Sequence, residues 1–258
     1  MSEGLRLQLK YICVCSAFLW LSSVAVAQNT RNLTPLEIEI AKQQQRLSSS
    51  SEEERRDAVM KLGGMRVPAA ARAALPGLKD PSPIVRATAA KAILWIGEDE
   101  SVTALLPLLN DKDEFVRRET AYALGLTHSR NATAALTERL TNDKEAGVRG
   151  AAAVALGKIA DEAESVPLVN TLSGDKNEFV LRAAAVALGQ IRSRAGTAAL
   201  VSALSNEKLP NDVRREAARS LGLIGDPSAE PALRAASTAE DPYLSRIAFE
   251  SLKKLGRG

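Results

Sequence analysis

The chain has 258 residues, 45% of them hydrophobic and 25% charged, with aromatic residues at only 3%, which excludes a disordered chain and leaves a core built mostly from Ala, Leu, Val and Ile. Small aliphatic residues suit many short, closely packed helices and suit a large β sandwich badly. A formal net charge of +3, with both signs interspersed, gives little pull toward an anionic partner.

The first segment reads as a leader. "MSEGLRLQLK" supplies Arg6 and Lys10, and Tyr11 to Ala27 then runs without a charge. Ala25-Val26-Ala27 before Gln28 has the small-x-small form of a signal-peptidase site. Residues 1–27 are therefore expected to be a secretory signal cleaved between Ala27 and Gln28, giving a secreted or periplasmic protein with no membrane association afterwards. The alternative is an uncleaved N-terminal anchor, for which 17 apolar residues lie at the lower limit. Cys13 and Cys15, the only cysteines, stand at the start of the apolar stretch, which argues against a lipoprotein site. Cleavage would leave 32 basic against 30 acidic residues and neither a disulfide nor a Cys metal ligand.

Residues 28–258 read as one array of helices. "TPLEIEIAKQQQRL" places Thr34, Pro35 and Glu37 as cap, first helical residue and capping-box acid, and "SEEERRDAVMKLG" offers Ser51 with Glu54. The serines from Ser48 to Ser51 then form the turn between these two helices. From there a repeat is visible, anchored on Val85, Val116, Val148, Val180, Val213 and Leu244 at spacings of 31, 32, 32, 33 and 31. A small residue follows each anchor by four (Ala89, Thr120, Ala152, Ala184, Ala217, Ala248) and a large aliphatic one by eight (Ile93, Leu124, Leu156, Leu188, Leu221, Leu252). These positions share one helical face, the small residues letting neighbouring helices approach and the aliphatic ones filling the space.

Helix starts are written into the repeat. Ser82, Asp113, Asn177 and Asp241 stand three residues before their anchors as N-caps, with Pro83 and Pro242 at the first helical position. Glu145 breaks this pattern, and "NEKLPND" lengthens the sixth loop. Between the anchored helices lie "SVTALLPLLN", "NATAALTERL", "ESVPLVNTL", "GTAALVSAL" and "SAEPALRAA", so each repeat is a pair of antiparallel helices. The pairs fall near 34–63, 67–97, 101–127, 131–160, 163–191, 196–224 and 228–256.

The phrase D-x-x-x-x-V-R-x-x-A-A-x-A-L-G, clearest in "DKDEFVRRETAYALGL" and "DKEAGVRGAAAVALGKI", resembles the bacterial HEAT-like repeat first associated with phycobilisome lyases. The resemblance covers about Val67 to Leu255 and implies an all-α, right-handed α-solenoid of about seven HEAT-like helix pairs. It also implies that the second helix of each pair lines the concave side. Asp80 with Arg86, Asp111 with Arg117 and Asp143 with Arg149 share a six-residue offset. The family implies a ladder in which Asp bonds helix-start amides and Arg pairs with acids on adjacent repeats; recurrence favours this over a ligand site. Leu181 interrupts the ladder. Gly125, Gly157, Gly189 and Gly222, near the helix ends, read as packing or capping positions and not as phosphate loops.

Function should then lie in the variable positions. Arg118, Arg182 and Arg215 follow their anchors by two, and Tyr122, Val154, Val186 and Arg219 by six. On the concave side these would form an apolar strip rimmed by arginines, a plausible protein-recognition surface, though Val154 and Val186 could equally be core. Catalysis has little to stand on. The single histidine, His128, cannot supply the His-Glu pairs that deoxyhypusine hydroxylases of this repeat class use for iron, and no cofactor is implied. Nucleic acid is disfavoured by the leader and by the scarcity of aromatics. The reading is a non-enzymatic scaffold for a protein or peptide partner; the alternative is a chromophore-lyase-like or chaperone-like protein.

Overall fold

A computed structural model describes residues 33–255. Among these residues fourteen α-helices form seven pairs and no strand occurs. The first helices of the pairs are α1 (Pro35–Arg46), α3 (Pro68–Ala73), α5 (Glu98–Leu105), α7 (Thr133–Asn142), α9 (Ser165–Gly174), α11 (Thr197–Ser205) and α13 (Glu230–Ala236). The second helices are α2 (Glu52–Gly64), α4 (Pro83–Ala92), α6 (Glu114–Thr127), α8 (Ala146–Ile159), α10 (Glu178–Ile191), α12 (Asn211–Ile224) and α14 (Pro242–Leu255). Successive second helices pack side by side along the array, and each first helix packs on its own partner, in the second repeat through the 3-10 segments Leu75–Lys79 and Ile93–Ile96. The chain is an all-α solenoid. The leader proposed for residues 1–27 lies outside the described residues.

The core follows the repeat arithmetic. Every anchor and every small residue four positions on is fully or almost fully buried, and the aliphatic residues eight on are buried except Leu252, which is half-buried on the terminal helix. Caps are partly as expected. The Thr34–Glu37 capping box is complete, and Asp113, Asn177 and Asp241 each accept from amides of their own first turn. Ser82 does not cap: its Oγ is buried without a partner, and Asp80 accepts from the Ser82 N–H instead. Asp111 and Asp175 make the same bond to the N–H groups of Asp113 and Asn177, so it is a feature of the loop, and this helix starts without a side-chain cap.

Gly125, Gly157, Gly189 and Gly222 are packing positions. A Cβ at Gly125 would lie 2.7 Å from Ala155 Cα on the next second helix, and Gly157, Gly189 and Gly222 press on Ala187, Ser220 and Ser251 in the same way. Capping falls three residues further on, where Arg66, His128, Ala160, Arg192 and Gly225 end their helices in the left-handed region. In the second repeat the packing position is Leu94. There α4 stops at Ala92, the chain tightens into a 3-10 helix over Ile93–Ile96, and Gly97 turns at φ 108°.

Ion pairs join neighbouring repeats. Arg86 Nε and Nη2 donate to the two carboxylate oxygens of Asp111 at 2.7 and 2.8 Å, while its Nη1 donates to the Asp80 carbonyl at 2.8 Å. Arg117 grips Asp143 at 2.8 and 3.0 Å and reaches the Asp111 carbonyl. Arg149 grips Asp175 at 2.7 and 3.1 Å and reaches the Asp143 carbonyl. The six-residue offset is therefore a main-chain bond within one loop, and the carboxylate belongs to the arginine of the preceding repeat. Arg55 with Asp80 starts the series. Burial opposes charge on Asp80, Asp111, Asp143 and Asp175, but the arginine and a backbone N–H outweigh it, holding each carboxyl below its ordinary range.

Candidate partner-binding face

Second helices turn one face toward the core and present the residues one before, two after, six after and ten after the anchor on the other side. Neighbouring repeats interlock on this outer face, position two of one meeting the residue before the anchor of the next. Arg118 lies over the Phe115 ring at 5.1 Å and leans toward Gly147, while the Phe179 ring covers Gly150, where an added Cβ would meet it at 2.1 Å. Arg215 stacks on Tyr243 at 5.1 Å.

The candidate residues divide once placed. Tyr122, Val154 and Val186 are half-buried, and Tyr122 and Val154 pack against core side chains, so the strip is both packing and surface. Arg182 is exposed and makes no ion pair among the described residues. Arg118 and Arg219 are partly exposed and sit beside Glu119 and Glu216 at 3.4 and 3.3 Å. Arg215 differs, since it bridges Asp212 at 2.8 Å and Asp241 at 2.5 Å and joins the sixth repeat to the seventh. Two carboxylates already engage it, and the Asp241 bond spans repeats as the regular rungs do.

A second cluster on the same face went unrecognised in the sequence. Toward the N-terminus a groove of about 540 Å³ crosses α2, α4 and α6, lined by Met60, Ile84, Ala87, Trp95 and Phe115 and edged by Arg56, Arg66, Lys91 and Glu119. Met60 and Trp95 are 54% and 46% exposed. Arg66 lies 5.7 Å from the Trp95 ring centroid, and Lys91 reaches Glu119 at 2.6 Å. The available signal was Trp95 itself, ten residues after Val85 in the segment where Leu94 replaces the repeat's glycine.

A family profile for HEAT repeats matches residues 40–125, 133–210 and 207–257. The chain belongs to the HEAT-repeat family. Among solved structures of similar fold, the E. coli protein YibA is 22% identical, with a TM-score of 0.63 over 85% of this chain and 82% of its own. The CpcE–CpcF complex of phycocyanin lyase from Nostoc sp. PCC7120 is 25% identical, with a TM-score of 0.53 over 88% of this chain and 92% of that one. An engineered protein is 21% identical, with a TM-score of 0.56 over 85% and 69%. No curated protein matches. Among the described residues no group of three or more His, Cys, Asp or Glu is placed to hold a metal ion, and no helix is long and apolar enough to cross a membrane.

Proposed function

We propose that this HEAT solenoid is a non-enzymatic scaffold acting outside the cytoplasm, and that it binds a protein or peptide partner along the outer face of its second helices, taken as the concave side. The observation that carries this is the composition of that face: half-exposed Tyr122, Val154 and Val186 continue into exposed Leu126 and Trp95, with Arg118 and Arg182 alongside. An apolar centre edged by arginine is the composition of recognition surfaces. The Nostoc lyase protein is itself part of a complex of CpcE and CpcF, in keeping with a partner-binding role. Export rests on the leader-like residues 1–27.

Affinity enrichment from the envelope fraction tests the proposal, comparing wild type with an Arg118, Tyr122, Arg182, Val186 quadruple alanine variant verified as helical. A partner held by the wild type and lost by the variant supports the face as the binding surface. Equal recovery by both overturns it. A purified protein carrying a bound chromophore would instead favour lyase-like work on a small molecule.

A further inference from the structure

The N-terminal groove has a more definite chemistry than the rest of the face. At about 9–10 Å between packed helices, the three helices α2, α4 and α6 span roughly 20 Å, the reach of about six residues of extended chain at ~3.3 Å each. Its floor is apolar and its wall includes Trp95, the residue ten after the anchor, carried here on the 3-10 segment that follows α4. A leucine at position 94 cannot lie against the next helix as glycine does at the equivalent sites, and the chain departs from the α-helix at that point. Gly64 beside it leaves open space, since a Cβ there would meet nothing within 4 Å.

Charge decides what would lie in this groove. Lys91 is occupied by Glu119, but Arg56 and Arg66 make no ion pair among the described residues, and Arg66 is spread across the Trp95 face. Two free guanidiniums over an apolar, tryptophan-walled trough complement a chain that alternates carboxylates with large apolar side chains, and they repel a basic one. We propose that the groove binds a short extended acidic segment of the partner protein, with an aromatic or aliphatic side chain against Trp95 and Met60 and carboxylates on Arg56 and Arg66. This rests on the scaffold reading above and names the part of the partner that is held.

The test uses the purified full-length chain and three eight-residue probe peptides, in which Phe alternates with Glu, Phe with Lys, or Ala with Glu. Binding is followed by peptide anisotropy and by the Trp95 emission, isolated by subtracting a Trp95→Phe variant because Trp20 also fluoresces. The Phe-Glu peptide should bind at least tenfold tighter than either other peptide and shift the Trp95 emission. Arg56→Ala with Arg66→Ala, and separately Trp95→Ala, should each weaken it about tenfold with helical circular dichroism unchanged. Equal or tighter binding of the Phe-Lys peptide overturns the proposal, as does Phe-Glu binding that ignores Trp95→Ala. A concentration-dependent dimer abolished by Trp95→Ala also overturns it, assigning the groove to a second copy. If the envelope partner is lost by the quadruple variant but the Phe-Glu peptide does not bind, the scaffold reading stands and the groove assignment falls.

Discussion

The guanidinium of Arg117 has little freedom: two of its nitrogens hold the Asp143 carboxylate, and the third donates to the Asp111 carbonyl in the adjoining loop. The side chain of Asp143 is only 2% exposed, so losing its partner strands a buried charge, with Arg139 at 3.7 Å as a weaker substitute. Breaking such a pair costs about 3–5 kcal/mol, and Arg117→Ala should lower denaturant-measured stability toward the lower end of that range. Arg182→Ala, on an exposed side chain without an ion pair, should change it by less than about 0.5 kcal/mol. A large loss at Arg182 would return that residue to the framework and remove it from the binding face. Steric fit makes a parallel case at Gly125, where a methyl group would collide with the backbone of α8; Gly125→Ala should cost about 1–3 kcal/mol by chemical denaturation. At Ala160, held at φ 57° at the end of α8, Ala160→Gly relieves a left-handed strain of about 1–2 kcal/mol against the added chain entropy of glycine. A rise in melting temperature is expected there, and a fall would show that the Ala160 methyl packs usefully.

Elements differ in how firmly they are tied to their neighbours. Four regular arginine–aspartate rungs run from α2 through α10, and then Leu181 occupies the arginine position and is buried. The sixth loop departs at the same junction: it carries Asn206 and Glu207, and the Arg214 Nε donates to the Leu204 carbonyl at 3.1 Å. In a solenoid, stability is close to a sum of nearest-neighbour terms, so a missing rung lowers the cost of opening everything beyond it. Hydrogen exchange should therefore find α13 and α14 less protected than α1 and α2, although both pairs lie at an end of the array. Equal protection at the two ends would mean that the close contact of Gly189 with Ser220 is enough to couple the repeats where the rung is missing. The anchors, the glycines and Leu181 made most of this architecture legible in the sequence, because each repeat solves the same packing problem with the same residue types. The role of Arg215 was not legible. It stands one position beyond the repeat's arginine and reaches Asp241, three residues before its anchor and not five, a substitution visible only once the chain is folded. The groove was hidden for a similar reason, since it draws on Arg56 and Arg66 from a repeat whose anchor position is Glu54 and on a Trp95 carried past the end of α4.

Over the whole molecule the rungs act together, and acid should expose this. The carboxyls of Asp80, Asp111, Asp143 and Asp175 are all held below their ordinary range: desolvation works to raise them, but each is outweighed by its arginine and by an amide two residues on. The paired arginines are raised, chiefly by those same carboxylates, and stay charged throughout, so the pH response belongs to the aspartates. A carboxyl that titrates lower in the folded than in the unfolded chain gives stability that is fully present above the unfolded value near pH 4 and drains away as pH falls through the folded value. Melting temperature should thus be nearly level from about pH 7 to 5 and drop steeply below about pH 4, with one cooperative transition through the joined repeats. Asp143→Asn should be less stable than wild type at pH 7 and lose less on acidification, because one of the titrating rungs is already gone. Parallel acid profiles for the two proteins would show that Asp143 titrates alike in both states, and the ion pairs between repeats would then have no part in the acid stability of the solenoid.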